Sequence, residues 1–192
     1  MSITDISTLD INSISPDASF VLDANILFFL HSGFYTSSSP NASQISAYSR
    51  FIADLLKRGN QLYITTIALQ EFLYGFERKS YKLYLSANGY SRNPSNANFF
   101  SLKQYRALSS ERVNVKRDMD RALYEVISLY NYDECNIKLN DIDEMVHTYD
   151  THRYDPMDYF TVAECKRPKL LNFISDDQDF RYDSSINVYS IL

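Results

Sequence analysis

A chain of 192 residues with 45% hydrophobic and 22% charged residues has the make-up of a globular domain with a sizeable core, not of a disordered segment. Its longest apolar run, Ile26 to Leu30, is far short of the roughly 20 residues that span a bilayer, and Ser2, Thr4 and Asp5 do not resemble a signal peptide, so a cytoplasmic protein without membrane contact is expected. A net charge of -5 argues against a general nucleic-acid coat, and Cys135 and Cys165, without paired spacing, indicate neither a disulfide framework nor a thiolate metal site.

Met1 to Ala18, rich in Ser, Thr, Asp and Ile without a clear period, reads as an arm on the surface. Phe20-Val21-Leu22 then reads as a buried strand that delivers Asp23 to its carboxyl end, where open α/β sheets place their ligands. Asn25 is placed to cap a short helix from Ile26 to about His31, ended by Gly33. Thr36 to Ser43 is a loop by composition. A helix follows from about Ala42 to Arg58, with Ile45, Tyr48, Ile52, Leu55 and Leu56 on one stripe and Gly59 as the stop. Leu62 to Thr66 is a second strand, and Thr66 is a plausible cap for a helix that sets Leu69, Phe72, Leu73 and Phe76 at i, i+3, i+4 and i+7. Glu71 lies off that apolar stripe, where an acid is usually just solvated.

Tyr81 to Ser101 is mixed, with turns at Asn88-Gly89 and Asn93-Pro94. A longer helix starts around Ser110, with Val115, Met119, Leu123, Val126, Ile127 and Tyr130 on its inner face, and a shorter one covers Asp141 to Tyr149. Residues 79–154 read together as a helical insertion within a single domain spanning 1–192. Charge is uneven here: from Gly75 to Arg121 ten basic residues face four acids, about six positive, which leaves the rest of the chain about eleven negative.

Asp155-Pro156 reads as a helix cap and first helical position, with Asp158 in the first turn and the helix running through Phe160, Ala163 and Glu164 toward Pro168. Capping and the helix dipole, worth about 0.3 to 1 kcal/mol, account for such acids without any chemistry, and that reading is preferred for Asp155. Leu170 to Ile174 is another buried strand, followed at once by Asp176, Asp177 and Asp179, and Ile186 to Leu192 closes the chain as a last strand.

A parallel α/β sheet gathers such strand ends and helix starts on one edge. Carboxylates packed there raise one another's pKa, and hard divalent cations with oxygen ligands relieve the repulsion; Mg²⁺ in particular uses few carboxylates, several waters and substrate phosphates. No competing constellation is present. There is no G-x-S-x-G, no phosphate-cradling glycine loop and only four glycines, and His31, His147 and His152 are scattered, with His31 alone placed to approach the first strand's end.

Val21-Leu22-Asp23-Ala24-Asn25, a strand-helix unit carrying Glu71, Asp158-Tyr159-Phe160-Thr161-Val162-Ala163 at a helix start, and Phe173-Ile174-Ser175-Asp176-Asp177-Gln178-Asp179-Phe180 together resemble the PIN domain, the nuclease fold of the VapC-like toxins. The resemblance covers about Phe20 to Arg78 and Asp155 to the end. It implies a three-layer α/β/α fold with a central, mostly parallel sheet, carrying the helical insertion. It also implies that Asp23, Glu71, Asp158 and Asp177 are the catalytic, metal-binding acids, that Asp179 is a further metal-binding acid, and that Asn25 supports the first. Asp176 falls where the family is tolerant and reads as a loop residue. The activity implied is a Mg²⁺- or Mn²⁺-dependent endoribonuclease hydrolysing RNA phosphodiester bonds, the toxin of a toxin–antitoxin pair, with an antitoxin protein and a homodimer as partners.

The stretch from about Lys79 to Tyr154 departs from the compact toxin pattern. Its basic residues are interleaved with Tyr81, Tyr84, Tyr90, Phe99, Phe100 and Tyr105, which suits phosphate contact and base stacking, so Arg78, Lys79, Lys82, Lys103 and Arg106 are expected to bind RNA. The alternative is that the aromatics are core and the charges a solvated helix face. Two other functions compete with the nuclease. A phosphatase of the haloacid dehalogenase type also starts from a strand ending in Asp, but wants a second Asp where Asn25 stands; a non-catalytic module would keep the fold and bind RNA or protein.

Overall fold

The computed structural model describes residues 2–36, 38–134, 136–151, 155–166 and 170–191. Cys135, His152 and the end of the helix expected to run toward Pro168 lie outside the described residues. Six strands form one sheet: β1 (Ser2–Asp5), β2 (Ser19–Leu22), β3 (Gln61–Thr65), β4 (Asn131–Asp133), β5 (Asn172–Ile174) and β6 (Asn187–Ser190). Their order in space is β1-β6-β5-β2-β3-β4, and every pairing is parallel. Seven α-helices are described, α1 (Ala24–His31), α2 (Ala42–Lys57), α3 (Thr66–Asn88), α4 (Leu102–Arg106), α5 (Ser109–Leu129), α6 (Leu139–Thr148) and α7 (Pro156–Lys166).

Alternation along β2 sets the three layers. Phe20 and Leu22 point to one face, where they pack with Ile26 and Leu27 of α1, Tyr48 and Leu55 of α2, Phe72 and Phe76 of α3, and Val115 and Val126 of α5. Val21 points to the other face and packs with Phe173, Val188 and Val162 and Cys165 of α7. The architecture is thus α/β/α around a parallel sheet, as expected.

After β2 the chain moves through α1 and α2 to β3 on one side, whereas β5 lies on the other side of β2. The carboxyl ends of β2 and β5 therefore flank the point where strand order reverses, the usual crevice for ligands in open α/β sheets. The register pairs Leu22 with Ile174, and the Asp23 N–H donates to Ile174 O at 3.1 Å, so residues 23 and 175 emerge side by side.

Several expectations are corrected. The arm from Met1 to Ala18 is not merely a surface segment, because Ser2–Asp5 adds an edge strand to β6 through its backbone. Asp23, not Asn25, caps α1, since its carboxylate accepts from the Ala24 N–H. Thr65, not Thr66, caps α3, its hydroxyl accepting from the Ala68 N–H. The described residues of segment 79–154 begin inside α3, supply β4 to the sheet, and lend Tyr81, Leu85, Tyr105, Ala122 and Tyr130 to the same core as Phe20. On α5 the buried line is Val115, Ala122 and Val126, while Ile127 is 52% exposed.

Gly75 shows how closely α1 and α3 approach. A Cβ there would meet Phe28 at 2.9 Å, so the ring of Phe28 occupies the space a side chain would need. Gly89 ends α3 in the left-handed conformation, φ 68°, which places the turn expected at Asn88-Gly89. Among the described residues no helix is long and apolar enough to cross a membrane.

Candidate active site

Asp23 stands at the end of β2 and is 6% exposed. One carboxylate oxygen accepts from the Ala24 N–H at 2.6 Å and the other from the Ser175 hydroxyl at 2.5 Å. Burial pushes its pKa up to about 6 against these two hydrogen bonds, with smaller upward pushes from Asp177 and Asp176. Ser175, fully buried just past β5, links two acids: while donating to Asp23 it accepts the Asp177 N–H at 2.9 Å.

Glu71 lies in the second turn of α3, half-buried, and Asp158 in the first turn of α7, which packs against α3. Burial, and after it the charges of Asp23, Asp155 and Asp177, push Glu71 up to about 7. Asp158 rises to about 8, first through burial and then through Asp155, Asp23, Asp177 and Glu71. Three acids, at the end of β2 and on α3 and α7, thus feel one another and Asp177 through space, and the largest charges acting on them are acidic.

The remaining predicted residues fall in different places. Asp179 opens a 3-10 turn and donates its N–H to Asp177 Oδ1 at 2.9 Å. Asn25 sits in the first turn of α1 with its Oδ1 buried and lacking a hydrogen-bond partner among the described residues. Asp176 does more than occupy a loop: it accepts from Gln44 Nε2 at 2.5 Å and Tyr48 OH at 3.1 Å, pinning the loop after β5 to α2.

Two residues were missed by sequence reasoning. Asp155 does cap α7, accepting from the N–H groups of Met157 at 2.8 Å and Asp158 at 3.0 Å, but its charge also bears on Glu71 and Asp158. The D-x-x-D spacing, which sets two acids on one helix turn, was its signal. Ser175 had only its position between a strand and an acid run. His31, a candidate to approach the first strand's end, instead ties α1 to α5 and Tyr130, with Nδ1 2.7 Å from Glu125 Oε1 and Nε2 2.8 Å from Tyr130 OH.

The basic residues are also sorted. Arg106 is bound bidentately by Glu77 at 2.6 and 2.5 Å, Arg78 lies 5.1 Å over the Tyr74 ring, and Lys79 lies 5.5 Å over the Tyr35 ring. Lys82 and Lys103 are exposed.

The parallel sheet and its flanking helices have a solved counterpart in the crystal structure of VapBC2 from Rickettsia felis, bound to a DNA fragment from their promoter. The two share a fold. The TM-score to the matched chain is 0.54 with 11% sequence identity, and the match covers 90% of this chain and 98% of that one. No family model matches the sequence, and neither does any curated protein.

The donor set suits a hard divalent cation in its chemistry: every candidate ligand is a carboxylate oxygen, and the buried Asn25 Oδ1 adds an acceptor that no donor among the described residues satisfies. Among the described residues no three His, Cys, Asp or Glu side chains stand in ion-holding geometry. The carboxylates lie within electrostatic reach of one another without converging, as like charges do.

Proposed function

We propose that this chain is a divalent-metal-dependent endoribonuclease of the PIN type, in which Asp23, Glu71, Asp158 and Asp177 hold Mg²⁺ or Mn²⁺ and Asp179 and Asn25 complete the surroundings. The observation that supports this reading best is that carboxylates from the end of β2, α3, α7 and the loop after β5 act on one another electrostatically, with Asp23 and Asp177 at the strand ends where strand order reverses. When bound, such a cation lowers the pKa of a water and neutralises charge on phosphate oxygens, which is what hydrolysis of a phosphodiester requires. The chain's own residues hold the frame. Ser175 fixes Asp23 relative to Asp177, Ala24 aims the other oxygen of Asp23, and Asp155 caps the first turn of α7, the turn that carries Asp158.

Asn25 weighs against phosphoryl transfer to Asp23, because an amide inside α1 has no proton to give or take where that chemistry needs a second acid. The fold shared with a VapBC2 chain supports an antitoxin protein as partner and the toxin role. The test is cleavage of single-stranded RNA with Mn²⁺ or Mg²⁺. Wild-type protein is expected to cut, EDTA to stop it, and Asp158→Asn to lower the rate more than about a hundredfold, beyond what loss of a mere supporting group costs at a metal site. An Asp158→Asn protein that cuts at the wild-type rate would sink the proposal.

A further inference from the structure

A pocket lies further along α3, away from the acids. It has a volume of about 280 Å³ and is walled by Arg78, Tyr81 and Lys82 of α3 and by Arg92 and Phe99 of the loop between α3 and α4. No acid lines it, and among the described residues none of its three cations has an ion-pair partner. Three cations on the wall of one cavity, with no acid beside them, make its surroundings favourable to an anion.

The loop that carries Arg92 is held in place before any ligand arrives. Ser91 N–H donates to Asn98 O at 3.0 Å and Phe100 N–H to Ser91 O at 2.8 Å, while Asn98 Nδ2 reaches Gly89 O at 2.5 Å. Tyr90 stacks on Phe100 at 4.8 Å between centroids, and the Tyr81 hydroxyl donates to Phe100 O. Arg78 is steadied by its place over Tyr74, so less side-chain freedom remains to be lost on binding.

Helix geometry then relates this pocket to the acids. At about 100° per residue, Arg78 and Lys82 lie seven and eleven positions after Glu71 and within about 20° of the same face, roughly 10 and 16 Å along the axis. One face of α3 therefore runs from the acid cluster to the cationic pocket.

We propose that the pocket of Arg78, Lys82 and Arg92 is a backbone-phosphate subsite for a single-stranded RNA that lies along α3, with the half-exposed ring of Phe99 offered to a neighbouring base. The identity of the strand rests on the nuclease reading. An acidic peptide would also meet the cations, but the flat ring at the rim and the shared face with the acids favour a nucleic acid. Of the basic residues expected to contact RNA, this selects Arg78 and Lys82 and adds Arg92, while Arg106 is already neutralised by Glu77.

The experiment measures binding of a fluorescein-labelled single-stranded RNA in EDTA by anisotropy, so that cleavage plays no part. Arg92→Glu and Lys82→Glu are expected to weaken binding several-fold to about tenfold, and Arg92→Ala to lower the steepness of the log Kd against log salt plot by about 0.7, the mark of one lost phosphate contact. Lys57→Ala, on α2 and paired with Asp54, serves as the control with unchanged binding, and unchanged melting temperatures establish that the variants fold. Wild-type affinity and salt dependence in both charge reversals would overturn the proposal. So would binding of poly-glutamate that competes with RNA and is lost in the same variants, which would assign the pocket to an acidic protein. Failure of the nuclease reading looks different: RNA binding that depends on Arg92 but no cleavage with Mn²⁺.

Discussion

Asp23→Asn should make the protein more stable above neutral pH, although it removes a proposed metal ligand. The wild-type carboxyl has a pKa of about 6 in the folded chain against 3.8 when exposed. Between these values the folded state keeps a proton that the unfolded state has lost, so stability falls as pH rises through the window and stays low above it. The difference corresponds to roughly 3 kcal/mol at 1.36 kcal/mol per unit. Asparagine keeps the acceptor for the Ala24 N–H but turns its amide toward the Ser175 hydroxyl, a loss of about 1 kcal/mol. The net gain at pH 8 is about 2 kcal/mol, or about 4 to 8 °C in melting temperature for a chain of this size. At pH 4 the advantage disappears and the variant is slightly the weaker. Thermal and urea unfolding in EDTA at pH 4, 6 and 8 measures this, and Mn²⁺ should close the gap at pH 8 by stabilising the wild type alone. A variant less stable at every pH, or a gap that does not change with pH, would refute the argument that burial and neighbouring acids destabilise ionised Asp23.

Two substitutions away from the acids test the packing. Gly75→Ala gains about 1 kcal/mol in helix propensity but drives a Cβ to 2.9 Å from Phe28, an overpacking that costs about 1 to 3 kcal/mol, so urea unfolding should show a net loss; a gain would mean that Phe28 moves aside freely. His31→Phe leaves the buried Tyr130 hydroxyl without its partner and should cost about 1 to 3 kcal/mol in stability while RNA cleavage persists; loss of cleavage in a folded protein would return His31 to the active site.

The legible parts of the sequence were those whose chemistry is local. Phe20-Val21-Leu22 alternates between two cores and could be read as a strand because both faces are apolar, and Asp155-Pro156 carries its own cap. Edge strands lacked any such mark. β4 is Asn131–Asp133, mostly exposed, and it pairs through backbone groups that leave no hydrophobic period. β1 was hidden for the same reason. On α5, Val115, Ala122 and Val126 lie within about 20° of one face, whereas Ile127 turns about 120° away from Val115; side-chain size suggested Ile127, and geometry selected the small Ala122. The order of acids along the chain suggested a cluster, but the strand order that brings β5 beside β2 depends on long-range pairing that no window of sequence contains.

Ser175 adds a constraint that the acids alone do not. Its hydroxyl accepts the Asp177 N–H and spends its single proton on Asp23, an arrangement that favours Asp23 as an anion. Burial and the charges of Asp177 and Asp176 favour the opposite, and they win, holding the pKa near 6. A residue placed only for packing would not need this opposition, since an apolar or amide side chain at position 23 would avoid both costs. Glu71 and Asp158 carry the same cost of burial beside other acids. A fold that keeps three such acids within electrostatic reach of one another, with a hydroxyl that favours the charged form of the most buried one, gives up stability that a divalent cation would return if it bound there, as the proposed function requires.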